Sequence, residues 1–184
     1  MTHEDALKLL FSKLDECGIP YMITGSFASN IHGLPRATQD ADIVIEVKQR
    51  NLERFLESLG PAFYRSSEAA MDALARQKMF NIVHLETGFK VDLIIRKSRP
   101  FSRMEFSRRQ PTFYLGANRC FATAEDTILA KLEWSRMADS ERQLNDALNV
   151  AKLQRGNLDR AYLEKWAREL DVFDLLKSLL REIE

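Results

Sequence analysis

The sequence predicts an α+β fold, because its two halves carry different hydrophobic patterns. Up to about residue 122, short β-rich apolar runs alternate with amphipathic segments of helical periodicity. From residue 123 onward only helical periodicity remains. We therefore expect an α/β core over residues 1–122 and a helical C-terminal part over residues 123–184. The two parts form either one α+β domain or two packed subdomains.

The bulk composition sets limits on the class of protein. A chain of 184 residues with 45% hydrophobic and 29% charged residues is typical of a soluble domain. No apolar run approaches the ~18 residues of a transmembrane helix, and the N-terminus lacks the apolar core of a signal peptide. We therefore expect a cytoplasmic protein without a membrane partner. The formal net charge is zero, so a polyanion would have to be bound locally.

The elements of the first part can be predicted in order from periodicity and turn residues. Apolar residues at helical spacing predict a helix over residues 4–17, which "CGIP" ends. The run "YMIT" predicts a strand, and "GSFASNIHG" a helix that begins at Ser26 and ends by Gly33. "ADIVIEV" predicts a strand, "QRNLERFLESLG" a helix and "MDALARQ" a further short helix.

The remaining elements follow the same rules. "MFNIVHLE" and "KVDLII" predict a hairpin, and "PTFYLG" and "NRCFAT" two more short strands or extended segments. The helical part predicts four helices, with Thr123 and Asp159 as N-caps and Gly156 as a stop. Four aromatic residues are expected in the core: Phe55, Phe63, Phe80 and Trp134.

Three aspartates lie within strand-like apolar segments. Asp40 and Asp42 are two residues apart, so their side chains face the same side of a strand, and Asp92 lies within "KVDLII". Carboxylates this close repel each other, and a hard divalent cation such as Mg²⁺ would relieve that repulsion. If the two strands are neighbours, the three acids could bind two metal ions for an in-line phosphoryl or nucleotidyl displacement. Taken singly, each acid is explained more simply as a structural residue.

The Gly25-Ser26 pair supplies a second element. A strand that turns at glycine into a helix leaves free backbone N–H groups at the positive end of the helix dipole, which is a phosphate-binding arrangement. The Ser26 hydroxyl could donate to a phosphate oxygen, although alone it is more simply a helix N-cap. The GxxxxGK[ST] pattern is absent, which argues against a P-loop ATPase.

These motifs together resemble the nucleotidyltransferase superfamily of the DNA polymerase beta type. The stretch "TGSFASNIHGLPRATQDADIVI" is similar to a branch that includes abortive-infection toxin–antitoxin nucleotidyltransferases and uncharacterised bacterial relatives. Further along, Lys131-Leu132 matches the Lys-Leu motif of that branch, and Arg142 and Asp146 match the Arg and Asp of the next helix. The resemblance extends over residues 4–175.

The resemblance implies a small mixed β-sheet with flanking helices and a helical C-terminal part that closes the site. It also implies transfer of a nucleoside monophosphate from an NTP such as ATP to an acceptor, with release of pyrophosphate. By the family pattern, Asp40 and Asp42 bind two Mg²⁺ ions, and Asp92 binds the catalytic metal and helps to activate the acceptor hydroxyl. Gly25 and Ser26 hold the triphosphate.

Other polar and charged residues have alternative assignments. Arg36 and Thr38, in the loop before the acidic strand, are candidate nucleotide-binding residues, although Arg36 could equally tie the loop to a carbonyl or an acid. By the resemblance, Lys131 reaches a phosphate, whereas alone it would be a solvated helix lysine. Asp146 could orient Lys131 or Arg142, or form a surface i, i+4 pair with the latter.

The segment "RKSRPFSRMEFSRRQ", residues 96–110, holds six basic residues and one acid. Its arginines and phenylalanines could bind and stack on RNA, a candidate acceptor. The alternative is an amphipathic helix in which Phe101, Met104 and Phe106 are packed and the arginines face water.

Three classes of function remain open from the sequence. The chain could be an enzyme, a non-catalytic nucleotide-binding module, or an interaction protein that pairs with an antitoxin-like partner. The joint presence of the three acids, the Gly-Ser turn and Lys131 favours the enzyme. The oligomeric state is not indicated.

Overall fold

The computed structural model describes residues 1–184 as nine α-helices and a seven-stranded mixed sheet. The strands are β1 (Tyr21–Thr24), β2 (Asp40–Ile45), β3 (Phe63–Arg65), β4 (Met79–His84), β5 (Lys90–Ile95), β6 (Gln110–Tyr114) and β7 (Ala117–Phe121). The helices are α1 (His3–Glu16), α2 (Gly25–His32), α3 (Gln49–Ser58), α4 (Ser67–Arg76), α5 (Pro100–Arg108), α6 (Ala124–Ala138), α7 (Glu141–Leu153), α8 (Arg160–Glu169) and α9 (Phe173–Ile183). The predicted α+β class is confirmed.

The strand order places the acidic strands at the centre of the sheet. The order is β3-β4-β5-β2-β1-β7-β6, in which β2 runs parallel to β5 and antiparallel to β1. The hairpin β4–β5 and the two strands β6 and β7 were predicted correctly. The short strand β3 was not predicted, because three residues are too few for alternation to be recognised.

Two hydrophobic clusters form the core. One joins buried side chains between Leu7 and Ala122, and the other joins Phe101 to buried side chains between Ile128 and Ile183. The boundary between residues 122 and 123 stays a prediction, since Phe101 comes from the first part and packs in the second cluster. None of the helices combines the length and the apolar character needed to span a membrane.

Local signals at several helix ends agree with the sequence, whereas α2 and α4 begin earlier than predicted. The side chains of Thr123 and Asp159 accept hydrogen bonds from backbone N–H groups in the first turns of α6 and α8, so both predicted N-caps are confirmed. Helix α2 begins at Gly25, one residue earlier than predicted. That start puts Ser26 inside the first turn.

The basic segment around α5 is a packed amphipathic helix. Phe101 and Phe106 are buried, so neither is free to stack on a nucleic-acid base, and that part of the RNA interpretation was wrong. Met104, expected to be packed, is 37% exposed. Arg99 and Arg108 form ion pairs with acidic residues of α6. Two of the six basic residues of the segment therefore attach it to the helical part.

One acid of α5 points inward and makes stability depend on pH. Glu105 is 9% exposed, and burial, together with the nearby Asp126, raises the pKa of its carboxyl from 4.5 to about 8. The folded protein therefore keeps a proton that the unfolded chain has already lost, and the free energy of unfolding falls as the pH rises from about 4.5 to about 8.

Glu105→Gln is expected to remove this loss of stability. At pH 7 the variant should be more stable than the wild type by about 3 kcal/mol, since each pKa unit corresponds to about 1.4 kcal/mol. At pH 4 the two proteins should be equally stable. Urea unfolding at a series of pH values measures the difference, and a constant gap across the series would contradict the prediction.

Candidate active site

The site begins with a row of side chains across three neighbouring strands. In the sheet register, Thr24 of β1 lies opposite Asp42 of β2, and Asp42 lies opposite Asp92 of β5. Asp40, two residues before Asp42 on the same face, lies opposite Lys90. The predicted adjacency of the two acidic strands is therefore present in the structure.

A cleft of about 210 Å³ opens over this row, between the sheet and helices α6 and α7. It contains most of the residues that the sequence singled out as candidates. Those that line it are Gly25, Ser26, Asp40, Asp42, Asp92 and Lys131.

The glycine turn lies directly against an acid of the row. Gly25 has a φ of +60°, a conformation that glycine adopts without strain, and a methyl group at this position would overlap Oδ2 of Asp42. Ser26 does not cap the helix, since Thr24 holds the N-cap position; the Ser26 hydroxyl instead accepts a hydrogen bond from Nη2 of Arg36 at 2.8 Å. Residues 24–26 line the cleft, and no side chain caps the start of α2.

Asp146 of α7 connects this turn to α6. Its two carboxylate oxygens each accept a hydrogen bond of 2.9 Å from Arg36, and Oδ2 also accepts one of 2.9 Å from Nζ of Lys131. Lys131 is 4% exposed, so it is not the solvated lysine that its sequence alone suggested. Burial lowers the pKa of Lys131, whereas the hydrogen bonds from both cations outweigh burial and lower the pKa of Asp146.

Two of the candidate nucleotide-binding residues do not line the cleft. Arg36 is committed to Asp146 and Ser26, which agrees with the structural alternative considered for it. The hydroxyl of Thr38 donates to Oδ1 of Asp40 at 3.1 Å. Both residues therefore hold other site residues in place.

The acids of the row are electrostatically strained. Burial and the neighbouring charges of Asp40 and Asp92 raise the pKa of Asp42 from 3.8 to about 6. Asp92 is 5% exposed, and its buried Oδ1 has no hydrogen-bond partner. Its Oδ2 accepts a hydrogen bond of 2.8 Å from Nζ of Lys90, which raises the pKa of that lysine.

These observations fit an oxygen-ligated divalent cation. A divalent cation that prefers oxygen ligands would give Oδ1 of Asp92 a partner. It would also stabilise the ionised form of Asp42, whose pKa burial and its acidic neighbours raise. As the side chains are placed, no three His, Cys, Asp or Glu residues form a group that would hold a metal ion. The ammonium of Lys90 lies within reach of both Asp40 and Asp92.

Solved structures of known proteins share this architecture. ANT(2'')-Ia in complex with adenylyl-2''-tobramycin has a TM-score of 0.61 at 13% identity, over 93% of this chain and 98% of that chain. A solution structure of the same antibiotic-resistance factor has a TM-score of 0.56 at 13% identity, over 90% and 94%. An antigenic nucleotidyltransferase-like protein from Paracoccidioides brasiliensis has a TM-score of 0.58 at 19% identity, over 95% and 91%.

The chain has a nucleotidyltransferase fold. No family model matches the sequence, and no curated protein matches it. The structural likeness confirms the fold that the sequence resemblance implied, whereas the abortive-infection branch stays a prediction.

Within the nucleotidyltransferase fold, the structure adds a residue that sequence reasoning placed wrongly. Trp134 was expected in the core, but it is 51% exposed and lines the cleft. Thr127 and Lys131 line the same cleft, so the spacing i, i+4, i+7 on α6 marks one helix face. That spacing was visible in the sequence and could have placed the tryptophan beside Lys131. Exposed Arg142 also lies on the cleft.

Proposed function

We propose that the chain is a metal-dependent nucleotidyltransferase that moves a nucleoside monophosphate from an NTP to an acceptor hydroxyl. The observation that carries this proposal is the row of Asp40, Asp42 and Asp92 on neighbouring strands, directly against the glycine turn at Gly25. A structural explanation of the acids would require the protein to provide a partner for each buried oxygen; Oδ2 of Asp92 pairs with Lys90, but Oδ1 has no hydrogen-bond partner.

The triphosphate would lie along the turn and the facing helix. The open backbone at Gly25 and Ser26 offers N–H donors, and Lys131 offers a cation whose direction is fixed by Asp146. Arg142 adds a second cation to the cleft. Arg36 would act indirectly, because it holds the Ser26 hydroxyl and Asp146 together.

The three acids would hold Mg²⁺, which supplies charge neutralisation at the reacting phosphate when bound. The acceptor oxygen would form a bond to the α-phosphorus while the bond from that phosphorus to the oxygen that bridges the α- and β-phosphates breaks. Asp92 would take the proton of the acceptor hydroxyl, a role that its unpartnered Oδ1 supports. Pyrophosphate, which consists of the β- and γ-phosphates, then leaves.

The half-exposed indole of Trp134 is the candidate surface for the nucleobase. It lies one helical turn beyond Lys131 on the same face of α6, and the side chain of Met79 lines the same cleft. Stacking on an aromatic ring favours any base, since every base has a π-face.

Trp134→Ala should therefore weaken NTP binding by about tenfold, within the range expected for loss of one stacked base. Isothermal titration with a non-hydrolysable ATP analogue measures the change. The matched control is Met137→Ala on the same helix, which is 65% exposed and does not line the cleft, and it should bind like the wild type. Equal affinity of Trp134→Ala and the wild type would remove the tryptophan from the nucleotide site.

The decisive experiment is label transfer. The protein is incubated with each α-labelled NTP, Mg²⁺, and either total RNA or a cell lysate, and the labelled product is identified. Transfer by the wild type and not by Asp42→Asn supports the enzyme. Nucleotide binding without transfer supports a non-catalytic nucleotide-binding module, and the absence of both supports an interaction protein.

The same experiment distinguishes the acceptor classes: RNA, a small molecule or a protein. If the acceptor is RNA, labelling should fall steeply with salt, because protein cations replace counterions on the phosphate backbone. Labelling of RNA that does not depend on salt, or no labelling of RNA, would exclude that acceptor.

A further inference from the structure

Lys90 places an ammonium group between two of the three acids. It lies two residues before Asp92 on β5, so both side chains project from the same face of the sheet, and it lies opposite Asp40 in the register with β2. Its Nζ is 2.8 Å from Oδ2 of Asp92 and 3.8 Å from Oδ2 of Asp40. One monovalent cation therefore bridges acids from two adjacent strands.

This contact differs from an ordinary surface ion pair. The side chain of Asp92 is 7% exposed, and it accepts its one side-chain hydrogen bond, at Oδ2, from the ammonium of Lys90. Oδ1 of Asp92 has no hydrogen-bond partner. Lys90 itself is 41% exposed. Because the lysine side chain is flexible and partly exposed, its ammonium can move away from the two carboxylates into solvent without disrupting the core.

We infer that Lys90 is an internal counter-cation that competes with the divalent metal for Asp40 and Asp92. Without metal, the ammonium neutralises part of the carboxylate cluster; when the metal binds, the ammonium leaves both acids. The inference rests on the metal binding that the proposed function requires. It predicts that the wild-type protein binds Mg²⁺ more weakly than the three carboxylates alone would, because the ammonium must first be displaced.

Lys90→Met tests the competition, because methionine keeps the approximate length of the side chain and removes the charge. Titration calorimetry of the full chain with MgCl₂, without nucleotide, should show binding about tenfold tighter for Lys90→Met than for the wild type. Lys90→Arg keeps a cation beside the acids and should resemble the wild type. Lys8→Met is the matched control, since it removes one charge from an exposed position of α1. Unchanged or weaker binding by Lys90→Met would overturn the inference.

A second measurement uses the wild-type protein and does not depend on the folding of Lys90→Met. The lysine side chains are labelled with ¹⁵N, and the Nζ resonance of Lys90 is assigned by its absence from the spectrum of Lys90→Arg. This resonance should shift as Mg²⁺ is added. The shift should be complete at the stoichiometry that calorimetry gives. A resonance that does not respond while Mg²⁺ binds would show that the ammonium stays in place, and would overturn the inference.

The two proposals fail separately. Tighter Mg²⁺ binding by Lys90→Met in a protein that never transfers label would support the counter-cation and contradict the transferase. Label transfer by the wild type, together with equal Mg²⁺ affinities of the wild type and Lys90→Met, would support the transferase and contradict the counter-cation. If no variant binds Mg²⁺, the counter-cation is overturned and label transfer alone decides the function.

Discussion

Replacing Asp146 with alanine is expected to destabilise the protein by about 3 kcal/mol, because it leaves the ammonium of Lys131 buried without a partner. The side chains of Lys131 and Asp146 are only 5% and 7% exposed, so water replaces the lost carboxylate poorly. Arg36, which is 32% exposed, can turn to solvent and adds less. Urea unfolding at pH 7 measures the loss of stability.

A double variant separates the unpaired charge from the loss of packing. Lys131→Met combined with Asp146→Ala should recover most of the stability, since no buried charge is then left unpaired. The matched control is Asp72→Ala, which breaks an exposed i, i+4 pair with Arg76 and should cost less than about 0.5 kcal/mol. A double variant as unstable as Asp146→Ala alone would show that the carboxylate stabilises the fold through other contacts.

Asp42→Asn is expected to affect activity and stability in opposite directions. Transfer should fall by roughly a thousandfold, since a bound metal supplies several kcal/mol of transition-state stabilisation. The metal-free protein should become more stable by about 3 kcal/mol at pH 7.5, because the raised pKa of Asp42, about 6, shows that its ionised form is disfavoured in the fold.

The pH dependence supplies an internal control for this variant. The folded pKa of Asp42 lies above its unfolded value, so the wild type loses stability as the pH rises from about 4 to about 6. The gain from Asp42→Asn should therefore disappear near pH 4. Mg²⁺ should raise the melting temperature of the wild type more than that of Asp42→Asn or Asp40→Asn. A variant that is less stable than the wild type at pH 7.5 would contradict the prediction.

The features of the site that the sequence could predict are local ones. A spacing of two residues on a strand places Asp40 and Asp42 on one face, and a glycine between a strand and a helix predicts the open turn at Gly25. The neighbouring position of Asp92 needed the family resemblance, because periodicity does not tell which strands pair.

The features that the sequence could not predict depend on distant partners. Lys131 reads as a solvated lysine until Asp146 and Arg36 are placed around it. The spacing on α6 places Trp134 beside Lys131, but only the position of α6 above the sheet shows that this helix face meets the cleft. The bridge from Lys90 to Asp40 requires the register of two parallel strands.

The contact between Arg36 and Asp146 joins residues that are 110 positions apart in the chain. Closing so long a loop costs conformational entropy, and the packing of α7 in the folded state offsets that cost. During synthesis the anchor for Lys131 cannot form until the ribosome has added residue 146, so a shorter nascent chain lacks it. The proposed contact of Lys131 with a phosphate therefore requires a chain that has been synthesised at least as far as α7.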